Sequence, residues 1–163
     1  MIHIVKGNLL ESDCNVIAHQ VNCMGVMGAG IAAKIKQKYP WAYRAYYFQC
    51  RSHLGAHELL GTAQIVPEPC EEDEYRRIPA TRLRVVHLYG QYKYGRERQH
   101  TVYQAVEDAL HLMLRNLHQD QDLKIGLPYG MGCGLAGGNW GIVSEIIEKV
   151  FYFHRQDGYL YKL

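Results

Sequence analysis

Apolar and polar positions along the chain fall into short strand-length runs separated by helix-length periodic segments. Residues 2–6 alternate enough for a first strand, stopped by Gly7 and Asn8. Val16, Ile17 and Ala18 form an apolar run of strand length, with His19, Gln20 and Asn22 where that strand is expected to end. A helix over 30–38 stops before Pro40, because the residue preceding proline disfavours the helical region. A second helix over 40–53 opens on that proline. Strands are expected over 60–66 and 83–89, and the charged residues 68–82 between them read as a solvated hairpin or loop. Val102, Ala105, Val106, Ala109, Leu110 and Met113 share one face of a helix over 101–118. A short strand over 123–127 follows. Asn139 then caps a helix that turns Ile142, Val143, Ile146, Ile147 and Val150 inward, and residues 159–163 close the chain as a strand. Strands alternating with helices predict a layered α/β fold. The length suits one domain over 1–163.

Two glycine-rich loops interrupt this pattern at equivalent places. Gly25, Gly28 and Gly30 lie between a strand and a helix start. Gly130, Gly132, Gly134, Gly137 and Gly138 do the same ahead of the helix that Asn139 caps. Glycine lets backbone N–H groups approach a ligand closely. A helix start adds unpaired donors and the positive end of a dipole. Such loops gather at the carboxyl ends of strands in open α/β sheets. Two of them can grip two phosphates, or a pyrophosphate, from opposite sides. Their spacing is neither the G-x-G-x-x-G dinucleotide fingerprint nor the G-x-x-x-x-G-K-[ST] loop, so neither of those mechanisms transfers.

Composition narrows the picture further. A net charge of +2 gives no case for a generic nucleic-acid binder. The five cysteines are odd in number and contain no C-x-x-C, which disfavours a disulfide framework or a zinc ribbon. His53 and His57 are four apart, but Gly55 lies between them and no third ligand is suggested, so a solvated loop is the reading and no metal is expected. With no signal-like start and no apolar run near the ~20 residues of a membrane span, a cytoplasmic setting and no membrane partner are the expectation. The grouped Tyr43, Tyr46 and Tyr47 read as helix core or surface.

The order and spacing of several motifs resemble the macrodomain, the ADP-ribose-binding module. They are Gly7-Asn8-Leu9-Leu10, Ile17-Ala18-His19-Gln20-Val21-Asn22, Gly25-Val26-Met27-Gly28-Ala29-Gly30-Ile31-Ala32, Tyr89-Gly90-Gln91, the run from Leu127 to Trp140, and Tyr161-Lys162-Leu163. The set is most similar to the branch that holds the yeast-type ADP-ribose-1″-phosphate phosphatase, the terminal ADP-ribose protein glycohydrolase and bacterial antitoxin macrodomains. The resemblance implies a three-layer α/β/α fold with a mixed sheet of about six strands.

It also implies roles. Asn8 would face the adenine amino group, with the Leu9 backbone beside it, and Tyr161 would lie against adenine. Gly28, Ala29, Gly30 and Ile31 would form the first phosphate loop, and Gly132, Cys133, Gly134, Leu135 and Ala136 the second. Asn22 would hold the distal ribose. Gln91 and Ala136 occupy the places where glycohydrolase relatives use a lysine nucleophile and an aspartate; glutamine cannot form a Schiff base and alanine cannot act as a base. His19 remains as the titratable group for proton transfer, since its ordinary pKa suits that work. The expectation is therefore an ADP-ribose-binding domain that hydrolyses ADP-ribose-1″-phosphate or an ADP-ribosylated molecule without a cofactor, as a monomer. Nucleic acid would be a partner only if itself ADP-ribosylated. A reader that binds ADP-ribose and does no chemistry stands beside it.

Overall fold

The structure is a computed structural model that describes residues 1–52, 56–70 and 82–163. Among the described residues six strands form one sheet: β1 (Ile2–Lys6), β2 (Val16–Val21), β3 (Ala63–Pro67), β4 (Arg84–Tyr89), β5 (Ile125–Pro128) and β6 (Gly158–Lys162). Their order across the sheet is β1-β6-β5-β2-β4-β3. Only the β3–β4 pairing is antiparallel, so the sheet is mixed as expected. The helices are α1 (Gly30–Lys38), α2 (Pro40–Ser52), α3 (Tyr103–Leu117) and α4 (Trp140–Phe153). Element boundaries differ from the periodicity reading by a few residues. The largest shift is at β3, which starts at Ala63 because residues 60–62 still turn after the 3-10 segment Ala56–Leu59, with Thr62 N donating to the Leu59 carbonyl. His53 and most of the charged 68–82 stretch lie outside the described residues.

Strand alternation decides which helix pair covers which face. Val16, Ala18, Val86 and Leu88 face α3 and α4, meeting Val106, Ala109, Leu110 and Met113 from one helix and Val143, Ile147 and Val150 from the other. Ile17 and Val85 point the opposite way, onto Ile35 of α1 and Ala42 of α2. Truncating one of these side chains, Met113 for instance, removes packing worth roughly 2–5 kcal/mol. Two positions expected on inward helix faces are instead exposed: Ile142 at 42% and Val102 at 39%. Val102 is the N-cap residue of α3, and Ile142 lies in the first turn of α4. The next residue of α4, Val143, is fully buried, so Ile142 lies off the inward face of that helix.

One glycine places the start of the chain. A Cβ at Gly126 in β5 would lie 2.5 Å from Leu9 Cδ1 and 2.8 Å from Cys14 Sγ. Because it has none, the 3-10 turn Leu9–Glu11 beds against the sheet and carries Asn8 to the sheet's edge.

His19 does not lie at a strand end. The strand runs on to Val21, so His19 sits inside the sheet, fully buried, and its odd position turns it toward α2. Its Nε2 is 2.9 Å from His87 Nδ1, and His87 Nε2 is 2.9 Å from the Ala42 carbonyl. A carbonyl only accepts, so His87 Nε2 carries the proton and its Nδ1 is bare in the neutral ring. His19 Nε2–H therefore donates to that bare nitrogen. His19 Nδ1 is left buried with no hydrogen-bond partner. Burial, then the neighbouring His87 ring, holds His19 well below the ordinary histidine value, and burial pushes His87 down to about 4.

Both rings are thus neutral in the folded protein at pH values where an unfolded histidine takes up a proton. Stability is full above pH ~6.5 and falls as pH drops below it, because the unfolded chain then binds more protons. Between pH 7 and pH 5 the expected loss is about 2 kcal/mol per histidine, read as a lower urea midpoint. A midpoint unchanged over that range would show that the rings are not held neutral.

Candidate functional site

Strands β1, β6, β5, β2 and β4 run parallel, so their carboxyl ends share one edge of the sheet. A cleft of about 760 Å³ opens along that edge, within the range of small-molecule sites. Its position follows from topology. β2 and β5 are neighbours, yet the chain leaves β2 for α1 on one face and reaches α4 on the other after β5. Where neighbouring strands send the chain to opposite faces, a crevice is left between the loops. Both glycine-rich loops arise at this divergence, and both line the same cleft.

The first loop is shaped by Asn22. Its Oδ1 accepts from Met24 N at 2.9 Å and from Tyr46 Oη at 2.7 Å, while its Nδ2 donates to the Val26 carbonyl at 2.8 Å. Gly25 takes a φ of +79°, which an L side chain resists, and so lets the chain double back. The loop then delivers Gly28, Ala29, Gly30 and Ile31 to the cleft wall. Helix α1 begins there with no side-chain cap, and its first turn has no acidic residue. Its free N–H groups and positive dipole end are available to an anion. Asn22 lines the cleft too, but most of its hydrogen-bonding capacity is spent holding the loop.

The second loop is a run of tight turns. Cys133 N donates to Gly130 O at 3.0 Å, Gly137 N to Gly134 O at 3.1 Å and Gly138 N to Gly132 O at 2.9 Å. His100 N and Thr101 N both donate to Ala136 O, tying the loop to the segment before α3. Gly132, Gly134, Leu135 and Ala136 line the cleft. Cys133, expected among them, does not: its Sγ turns back to the Met131 carbonyl at 3.3 Å, and burial raises its thiol.

At the β1–β6 end, Asn8 and Leu9 line the cleft beside Tyr161. Asn8 Oδ1 accepts from Leu10 N at 3.1 Å, so the residue also caps its own turn. A carboxamide oxygen has two lone pairs, and the second can meet a ligand donor. Tyr161 is 9% exposed, with its hydroxyl accepting from Cys14 Sγ at 3.6 Å. At the β2–β4 end Gln91 lines the cleft, its Oε1 accepting from Gln20 Nε2 and its Nε2 donating to the Lys93 carbonyl.

His19 is absent from the cleft wall. Cys23, in the first loop, is buried and its thiol is pushed up to about 12 by burial and then by Cys50, so it offers no thiolate. Lining residues that sequence reasoning missed include Gln20, Lys34, Tyr94, Arg96, Tyr129 and Lys162. Lys34 stands four residues after Gly30, on the same helix face, and that spacing was a usable signal. Tyr94 and Arg96 lie in a loop without periodicity, where no such signal exists. Among the described residues the side chains of the wall include lysine and arginine but neither carboxylate nor imidazole, which suits a ligand with more than one negative charge.

The family model described as the Macro domain matches residues 18–147. An ADP-ribose 1″-phosphate phosphatase of Scheffersomyces stipitis is 39% identical over 79 residues, covering 44% of this chain and 46% of that protein. A DNA ADP-ribosyl glycohydrolase of Thermus aquaticus is 29% identical over 149 residues, covering 91% of this chain and 37% of that protein. The matched segments thus span less than half the length of either relative. The macrodomain of Mycobacterium tuberculosis DarG superposes with a TM-score of 0.77 at 23% identity, covering 100% of this chain and 98% of that one. The matched segment runs from inside β2 into α4 and takes in both glycine-rich loops, and on that ground the chain belongs to the Macro domain family.

Proposed function

We propose that the cleft binds ADP-ribose and that the protein hydrolyses an ADP-ribose derivative, either ADP-ribose-1″-phosphate or an ADP-ribosylated molecule. The observation that carries this reading is the shared cleft: the uncapped helix start at residues 28–31 and, Cys133 excepted, the turns at 132–136 line one space. A diphosphate fits between two such walls. Asn8, Leu9 and Tyr161 then receive adenine at the β1–β6 end, and the distal ribose reaches Asn22 and Gln91. The names of both relatives specify an ADP-ribosyl substrate, which agrees with that occupant.

For the chemistry, the oxygen of water bonds to the 1″-phosphorus of ADP-ribose-1″-phosphate, or to the anomeric carbon of an ADP-ribosylated molecule, as the bond to the leaving group breaks. The proton that water sheds passes to the leaving group, and the backbone donors of the second loop meet the charge that develops. His19 takes no part in this scheme, because its ring is buried inside the sheet and does not line the cleft. Asn22 acts by holding the first loop in shape. The scheme takes no cofactor and no metal. Residues 1–163 act as one domain, monomeric and in the cytoplasm, where the five free cysteines stay reduced. One observation favours a second reading, that of a reader without activity: the described wall has no carboxylate or imidazole side chain to serve as a base.

Calorimetric titration with ADP-ribose is expected to give saturable binding. The Gly132→Val substitution should weaken it at least about tenfold, ~1.4 kcal/mol. Gly132 has a φ of +74° and its Cβ would stand 2.5 Å from Gln20 Oε1. Flat heats with the unaltered protein would discard binding and hydrolysis together.

Phosphate release from ADP-ribose-1″-phosphate, and ADP-ribose release from an ADP-ribosylated oligonucleotide and an ADP-ribosylated peptide, should exceed the rate with the Gly132→Val variant for at least one substrate. Equal background rates for all three, with binding intact, would leave the reader.

A further inference from the structure

One side chain lining the cleft, Gln20, is not used by the proposed chemistry. Gln20 sits one residue before the end of β2 and lines the cleft, half-buried. Its Nε2 donates to Gln91 Oε1 and to Thr101 Oγ1, each at 2.9 Å. A carboxamide nitrogen has two hydrogens, so both are spent. Thr101 Oγ1, having accepted, passes its own hydrogen to the Gly132 carbonyl at 2.6 Å. Gln91 passes its Nε2 hydrogen to the Lys93 carbonyl at 2.8 Å. One amide thus fastens β2, the loop after β4 and the second glycine-rich loop together, and the donor and acceptor directions leave no alternative arrangement.

Two backbones are shaped around this amide. A Cβ at Gly90 would stand 2.7 Å from Gln20 Oε1, and one at Gly132 would stand 2.5 Å from it. The carboxamide oxygen therefore lies between two glycines whose side chains, were they present, would crowd it. Its Oε1 has no hydrogen-bond partner and is shut off from solvent. An unpaired buried acceptor is unfavourable, and an apolar side chain at this position would avoid it. The two donated hydrogen bonds, not the oxygen, are what the glutamine contributes.

We infer that Gln20 is a positioning residue that sets the second glycine-rich loop and Gln91 in register with each other, and so governs the diphosphate and distal-ribose half of the cleft while leaving the adenine half alone. The separation follows from the sheet order: Tyr161 lies on β6, two strands from β2, and Asn8 follows β1, three strands from it. This inference rests on the ADP-ribose reading of the cleft. It predicts a selective effect. Loss of the tie displaces Gly132 and Gln91 without moving the residues that face adenine. Misplacement of an anion cradle on the ångström scale is expected to weaken a ligand that spans it by about tenfold or more.

The test compares ADP-ribose with AMP by calorimetry, for the unaltered protein, Gln20→Leu, Gln20→Glu, Thr101→Val and the Gln20→Leu/Thr101→Val pair. Gln20→Glu keeps the shape and removes the donors, so it should behave like Gln20→Leu. Each single variant is expected to bind ADP-ribose at least about tenfold more weakly and AMP within about twofold of the unaltered protein. The double variant should be no worse than the weaker single one, because both substitutions cut the same chain of hydrogen bonds. Thermal melting of every variant accompanies the titrations. Equal losses for AMP and ADP-ribose that follow the fall in melting temperature would reduce Gln20 to a purely structural residue and overturn the inference. Unchanged ADP-ribose binding in Thr101→Val would overturn it even if both Gln20 variants fail to fold. An unaltered protein that binds neither ligand would sink the ADP-ribose reading and this inference with it, whereas normal binding in all variants would sink this inference alone.

Discussion

The molecule depends on a single topological constraint: two hydrogen-bonded parallel strands, β2 and β5, are followed by helices on opposite faces of the sheet. Parallel strands end on the same edge, and their loops must then diverge. Backbone polar groups at a strand end need partners, and loops that diverge cannot supply them to one another. The gap between them is where a ligand rich in acceptors can do so. Everything that makes this a candidate binding site, from the uncapped start of α1 to the stacked turns after β5, is a local response to that divergence.

Side chains then hold the two loops at a fixed separation. Asn22 replaces the missing ladder bonds of the first loop by serving as a local acceptor and donor. Thr101 and the His100–Thr101 backbone do so for the second. Gln20 joins the second loop to the strand from which the first one springs. A helix end contributes a modest ~0.3–1 kcal/mol toward a nearby anion. Several fixed donors aimed at one space contribute more in combination, because they do not have to reorganise when the ligand arrives.

The His19–His87–Ala42 chain shows the same hydrogen-bond logic used for a different purpose. It runs through the core between β2, β4 and α2, and desolvation keeps both rings uncharged. It fixes α2 on the sheet, and α2 carries Tyr46, whose hydroxyl in turn donates to Asn22. The histidine that resembled a catalytic group therefore contributes to the site at one remove, by supporting the helix behind the first loop.

Hydrophobic periodicity alone determined the sequence of strands and helices, the two glycine-rich loops and their places after strands, because spacing of apolar residues and glycine conformational freedom are local properties. Family motifs in the chain pointed to Asn8, Tyr161 and both loops before any coordinates, and all of these line the cleft except Cys133. Burial depth was not legible. Three residues more of β2 than its apolar run marks carry His19 into the sheet, and one step of strand alternation turns it toward α2 while Gln20 faces the other way. Nor was the company each residue keeps: Gln20, Gln91, Thr101 and Gly132 are far apart in the chain and meet only because β2, β4 and β5 are neighbours in the sheet. Local sequence sets what a segment becomes; which strand ends stand side by side, and so which side chains share a hydrogen bond, is decided only when the sheet assembles.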